Sequence, residues 1–298
     1  MGVPILSSKK TSKKTTTTDN VFEQPFTEKE RRQQTVIGAV VVAIIAIIVF
    51  VGGFFLYQNL NADKIAQAKV AEESELAYQK LQNDPKPKYA TKDGAFIISN
   101  RGYNQPIKNV PTVGVYLEPL CPGCANVERT LGSTFQSLVK NGQINLEVHF
   151  MTFQDNKSSD DYSTRAMNGA INLTQYDKNP QHLLKYLSNI FAENFQPGEL
   201  SSYKSVSTER LKQQAIDAGV KKQVADRAFK DDSNWQTWLK TADTYTFGRT
   251  ELYAKGNDSF STPTITIDGK RWNAENMTTE SLLSKLGIPS MNTTTEAR

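Results

Sequence analysis

Cysteine is nearly absent from this chain. Its 298 residues hold two, and both lie in Cys121-Pro122-Gly123-Cys124. A scaffold stapled by many disulfides is therefore excluded. Histidine is as scarce, with only His149 and His182. A zinc site built on the C-x-x-C would need two further ligands, and these histidines fall in different elements, where ordinary exposed positions account for both. Excess charge is also small, at +4 overall. Residues 1–34 carry seven Lys/Arg (Lys9, Lys10, Lys13, Lys14, Lys29, Arg31, Arg32) against Asp19, Glu23, Glu28 and Glu30. Little net charge is left downstream, so no nucleic-acid-binding surface is expected.

Charge is missing altogether between Arg32 and Asp63, and within that gap Thr35 to Tyr57 reads TVIGAVVVAIIAIIVFVGGFFLY. An apolar run of this length spans a bilayer as a helix. A cleaved signal peptide is the competing reading, and Ala66-Gln67-Ala68 offers an A-x-A. The run is far longer than a signal h-region, however, and that triplet lies beyond Asp63-Lys64, which favours a retained anchor. The polar, low-complexity residues 1–34 then form a disordered cytoplasmic tail, 35–57 the transmembrane helix, and the body lies outside the membrane.

Residues 58–92 read as a stalk and linker. Asn61 to Asn83 suits a short helix with apolar Ile65, Leu76 and Leu81, and Asp84-Pro85-Lys86-Pro87-Lys88 breaks it. The body opens with a strand at Ala95–Ile98 and a β-branched one at Pro111–Tyr116 that runs almost into Cys121. Val127, Leu131, Phe135 and Leu138 then keep helical spacing until Asn141-Gly142. Ile144, Leu146, Val148 and Phe150 alternate in the next strand. The order is β-α-β, with the dithiol at the strand-to-helix junction, over residues 93–156.

Residues 157–248 are helical in pattern, with candidates at Asp160–Leu173, Pro180–Asn194, Thr208–Ala218, Lys221–Lys230 and Trp235–Phe247. Their aromatic residues Tyr186, Phe191, Phe195, Trp235 and Trp238 fall at spacings that favour core over a substrate groove. Asn172-Leu173-Thr174 matches a glycosylation triplet, read as coincidental. Residues 249–290 return to strands at Thr264–Ile267 and Lys270–Trp272 and close with a helix at Thr279–Leu286; 291–298 form a tail. The fold class is α/β: β-α-β, a helical insertion, then β-β-α.

At the junction, unpaired backbone N–H groups and the helix macrodipole favour an anionic sulfur at Cys121. Its pKa is expected below that of a free thiol, making it the attacking sulfur. Cys124, one turn in, is expected to be more buried and less acidic, and Pro122 suits the first helical position. An inert disulfide is the bland alternative, though so small a loop stabilises little. Ser261-Thr262-Pro263-Thr264 opens a strand with a proline, and its place after the dithiol unit favours a cis Thr262–Pro263 bond.

Strand–C-P-x-C–helix, a helical insertion and T-P-T-I-T-I-D-G-K together resemble the thioredoxin superfamily, and most closely its membrane-anchored, DsbA-like thiol–disulfide oxidoreductases of bacteria. The resemblance covers roughly residues 90–290. It implies a thioredoxin fold, Cys121 as nucleophile, Cys124 as resolving cysteine, Pro263 as cis-proline and Thr262 as a backbone contact for substrate. Glu118 matches an acidic position often seen there in such proteins, and its two readings are a proton relay to Cys124 and a solvated surface carboxylate. Gly123 stands where DsbA has histidine and Thr262 where it has valine, and both departures point to a less stabilised thiolate and a weaker oxidant.

The expected function is extracytoplasmic exchange of disulfides with secreted or membrane proteins, more in the oxidase direction. No cofactor or metal is expected. The expected partners are protein thiols, a membrane protein that resets the dithiol, and the bilayer itself. The alternatives are a reductase or isomerase in disulfide repair or cytochrome maturation, and a redox-inert peptide-binding adaptor.

Overall fold

The computed structural model describes residues 62, 64–273 and 276–289. The expected transmembrane helix at 35–57, the 1–34 tail and the 291–298 tail lie outside them. None of the described helices is long and apolar enough to cross a membrane.

Six strands form one sheet in the order β2-β1-β4-β3-β5-β6. They are β1 (Phe96–Ser99), β2 (Gly102–Tyr103), β3 (Thr112–Leu117), β4 (Asn145–Phe150), β5 (Thr264–Ile267) and β6 (Lys270–Arg271). β3 and β4 run parallel, with Val115 beside Val148, while β5 is antiparallel to β3, with Gly114 opposite Thr266. A Cβ on Gly114 would lie 2.2 Å from the Thr266 hydroxyl, so only glycine fits this cross-strand pair.

Alternation along the central strands builds two different faces. Val113, Val115, Leu117, Leu146, Val148 and Phe150 are buried in the main core, together with Leu131, Phe135 and Leu138 of helix α2 (Pro122–Lys140). Each such side chain contributes roughly 1.5–3 kcal/mol by leaving water. Helix α2 stops at Asn141, where Gly142 takes a φ of +69°. On the opposite face, Tyr116 and Met151 pack under Leu252 and Phe260. That cover overturns the expectation that His149 is exposed. The imidazole is 2% exposed, stacks on Tyr116 at 3.8 Å, and its Nε2 lies 2.7 Å from Glu147 Oε1. His182 is not free either: it is half-buried at the start of α4 and pairs with Asp177 at 2.7 Å.

The insertion holds helices α3 (Tyr162–Tyr176), α4 (Pro180–Ile190), α5 (Thr208–Asp217), α6 (Lys222–Ala228) and α7 (Gln236–Phe247). Two are shorter than their sequence pattern because long-range bonds cap them. Arg129 Nε donates to the Phe191 carbonyl at 2.9 Å just past α4, and Asn172 Nδ2 donates to the Ala228 carbonyl at 2.8 Å at the end of α6. Tyr186, Phe191, Phe195 and Trp238 are core, and Trp235 is half-buried with its Nε1–H donating to Asn172. Asn172 is itself buried, out of reach of a modifying enzyme. Helix α8 (Thr279–Leu286) is opened by a capping box between Thr278 and Ser281 and closed by Gly287 at φ +66°.

The segment expected as a helical stalk is helix α1, residues 64–83, and it packs on the body. Ile65 and Leu76 face solvent, but Ala77 and Leu81 are buried. Ser74 Oγ donates to the Tyr245 carbonyl at 2.7 Å and the Tyr78 and Tyr245 rings stand 5.0 Å apart. Gln82 Nε2 reaches the Lys92 carbonyl at 2.6 Å beyond the proline break. One buried leucine and these bonds explain why the segment packs rather than extends.

Candidate active site

Strand β3 delivers the chain to Glu118-Pro119-Leu120 and then to Cys121, the N-cap of α2, with Pro122 as first helical residue. The Cys121 N–H donates to the Glu118 carbonyl at 3.0 Å, which folds this turn tightly over the strand end. Cys121 keeps 6% of its surface exposed and Cys124 none. Both are free thiols. From the far side, Gln196 of the insertion donates to the carbonyls of Pro119 at 2.9 Å and Cys121 at 3.2 Å, fixing the loop that carries the outer sulfur.

Thr262 and Pro263 stand directly opposite. Cys121 Sγ lies 3.4 Å from the Thr262 carbonyl oxygen, and the Thr262–Pro263 bond is cis. The five residues singled out from the sequence therefore surround one point: the two sulfurs, the Thr262-Pro263 backbone, and Glu118 beneath.

The two thiols differ strongly. Cys121 is lowered to about 6, chiefly by a hydrogen bond from the Cys124 thiol, with burial opposing and with Thr262 and the N–H groups of Cys124 and Gly123 adding to the effect. The helix N-terminus thus contributes, as its unpaired N–H groups require, but the partner thiol contributes most. The Thr262 hydroxyl is buried and has no hydrogen-bond partner among the described residues. Its effect on Cys121 is nonetheless to lower the value, opposite in direction to the weakening of the thiolate expected from its difference to valine. Burial pushes the Cys124 thiol well above its ordinary value, and the hydrogen bond it gives Cys121 adds to that. Its sulfur is enclosed by the Glu118 N–H, which donates at 3.3 Å, and the Tyr116 carbonyl at 3.9 Å.

Glu118 is not a surface carboxylate. It is fully buried, and burial raises it to about 8, with the nearby Cys121 and Asp243 charges acting the same way. The Ser163 hydroxyl and the Leu120 N–H, which donates to Oε2 at 2.8 Å, pull in the other direction. Oε1 has no hydrogen-bond partner among the described residues. A buried carboxyl that changes charge near neutral pH, beside a buried thiol, can carry a proton to and from that thiol.

Sequence reasoning missed Gln196, Ser163 and Asp243. Each reaches the site from the insertion, and no motif marks them. Asp243 is buried, accepts from the Thr152 N–H and hydroxyl, and is raised to about 7 by burial first.

The chain resembles the structure of reduced DsbA from Mycobacterium tuberculosis with a TM-score of 0.50 and 21% identity, covering 65% of this chain and 90% of that one. It resembles MdbA, a thiol-disulfide oxidoreductase from Actinomyces oris, with a TM-score of 0.50 and 19% identity, covering 67% and 87% respectively. A curated relative, the serine/threonine-protein kinase PknE of Mycobacterium tuberculosis, is 32% identical over 89 residues, which are 30% of this chain and 16% of that protein. The chain thus spans only a small part of that relative. A family model described as Thioredoxin matches residues 107–286, more than half of the chain and the whole of the dithiol site, and the chain belongs to that family.

Proposed function

We propose that this chain is a membrane-tethered protein thiol–disulfide oxidoreductase, acting outside the cytoplasmic membrane of a bacterium and chiefly in the direction of disulfide formation. The observation that carries the reading is the contrast between the sulfurs. Cys121, at about 6, is a thiolate at neutral pH at the edge of the surface, while Cys124 is buried and held protonated. The likeness in fold to a thiol-disulfide oxidoreductase supports it, as does the apolar run Thr35 to Tyr57 for the tether.

In the oxidase direction a substrate thiolate attacks Cys121 Sγ of the closed pair. The Cys121–Cys124 bond breaks as the mixed disulfide forms, and Cys124 leaves with a proton supplied by Glu118. The main chain of Thr262, beside Pro263, holds the substrate backbone. A second substrate thiolate then attacks the substrate sulfur of the mixed disulfide, the substrate disulfide closes, and Cys121 leaves as a stable thiolate. Two electrons pass from substrate to the dithiol. A membrane partner takes them away and resets the pair. Because a stabilised thiolate favours the reduced form, the disulfide is the better oxidant.

Equilibration of the purified chain against a glutathione series tests the direction. A potential well above the roughly −270 mV of thioredoxin is expected; a value at or below it assigns the chain to reduction. The placement is tested by fractionation: the protein belongs in the membrane fraction, with its body open to protease added outside the cell.

A further inference from the structure

Glu118 is held from outside by a residue that no motif marks. Gln154 follows the end of β4, and with its amide oriented to meet complementary partners its Nε2 donates to Glu118 Oε2 at 3.1 Å and to Glu199 Oε1 at 3.0 Å. The opposite orientation would set its carbonyl against two carboxylate oxygens. Glu199 Oε2 in turn accepts from Lys157 Nζ at 3.1 Å, and both of those side chains reach solvent. A connected row of polar groups therefore runs from the buried acid to the surface. At its inner end the two carboxylate oxygens are unequal. Oε2 has the Leu120 and Gln154 donors, while Oε1 is buried with no partner among the described residues.

We propose that Gln154 is a positioning residue for thiol–disulfide exchange: by pinning Oε2 it fixes the Glu118 carboxyl that trades a proton with Cys124. The inference rests on the reading of Glu118 as proton carrier. In the transfer itself the Cys124 thiol loses a proton and becomes a thiolate as the Glu118 carboxylate becomes a carboxylic acid, and the reverse holds when Cys124 leaves.

The groups that face Glu118 come from several elements. Cys121 faces it from the N-cap of α2 and Cys124 from within that helix, Ser163 and Tyr162 from α3, and Asp243 from α7. Glu199 and Lys157 lie behind Gln154. Burial, Cys121 and Asp243 all disfavour the charged carboxylate. An amide N–H on Oε2 favours it. Removing that donor should therefore move the ionisation of Glu118 upward.

The test uses the full chain carrying a preformed mixed disulfide between Cys121 and glutathione. The rate at which Cys124 displaces glutathione is followed against pH. For the natural chain it rises as Glu118 ionises, with a midpoint somewhat below about 8 because Cys121, tied up in the disulfide, no longer adds its charge. Gln154→Leu is expected to move that midpoint up by about one pH unit, and to slow displacement about tenfold at pH 7, since one pH unit is a tenfold change in ionised fraction. Gln154→Met should do the same and serves if leucine impairs folding. In a Glu118→Gln background the Gln154 change should have no further effect. An unchanged midpoint in both Gln154 variants, with the midpoint lost in Glu118→Gln, overturns the role of Gln154 alone. A midpoint that survives in Glu118→Gln overturns the reading of Glu118 on which it rests.

Discussion

The Cδ of Pro263 stands only 2.8 Å from where a Cβ on Gly123 would be. That spacing is below van der Waals contact and involves a ring fixed to the backbone, so the proline cannot swing aside as a flexible chain end would. Gly123 is thus the residue that lets the Thr262-Pro263 segment close over the dithiol. Gly123→Ala is expected to destabilise the chain by about 1–3 kcal/mol, the usual range for overpacking. It should also slow exchange with protein substrates more than with glutathione, because the displaced segment is the part proposed to meet a polypeptide. Denaturant unfolding and the two exchange rates measured side by side check this.

The acidity of Cys121 has identifiable sources, which can be removed one at a time. Cys124→Ala deletes the largest and Thr262→Val the hydroxyl contribution. Both variants should raise the Cys121 pKa from about 6, Cys124→Ala by more. The pH dependence of alkylation at Cys121 reports it directly. A lowered value in Thr262→Val would mean that the hydroxyl opposes the thiolate.

Buried acids give the chain a characteristic stability profile. Burial raises Glu118 to about 8, and Glu128 and Asp243 to about 7. A carboxyl whose pKa is higher folded than unfolded binds its proton more tightly in the native state. Its contribution is therefore intact below the unfolded value near 4 and is lost as pH climbs through the folded value. Stability should fall between about pH 4 and 8. Glu128, whose Oε2 accepts from Ser188 at 3.2 Å, is a clean probe outside the dithiol site. Glu128→Gln is expected to flatten part of the fall, by on the order of 3 kcal/mol at pH 8 relative to pH 4. Unfolding curves across that range measure it.

Helix α1 belongs to the folded body, so a change in it should register in global unfolding. Leu81→Ala, at a position 1% exposed, is expected to cost about 2–5 kcal/mol. Leu76→Ala, at 51% exposure, should stay within about 0.5 kcal/mol. Equal small effects would mean that α1 hangs free.

Much of this is legible in the sequence. The dithiol, its helix and the opposing proline were readable because each depends on a local pattern: a strand running into C-x-x-C, apolar spacing of 3.6, a proline opening a strand. The burial of Glu118 was not readable, because its neighbours Ser163 and Asp243 lie 45 and 125 positions further on. His149 failed for the same reason. Alternation correctly put it on the face away from Val148, but Tyr116 and Phe260 cover that face. Helix α1 was readable as a helix but not as docked, since Tyr245 is its partner. Periodicity shows which side of an element is apolar, and only the fold shows what covers the other side.

In the proposed exchange Cys121 is the sulfur that meets the substrate and Cys124 the one that resolves it. Incubating the Cys124→Ala chain with a cysteine-bearing polypeptide in its oxidised form, then separating the products without reductant, tests this most directly. A mixed disulfide through Cys121 that persists until reductant is added is expected, and none from Cys121→Ala. Absence of the adduct from Cys124→Ala, or equal adducts from both variants, would contradict it.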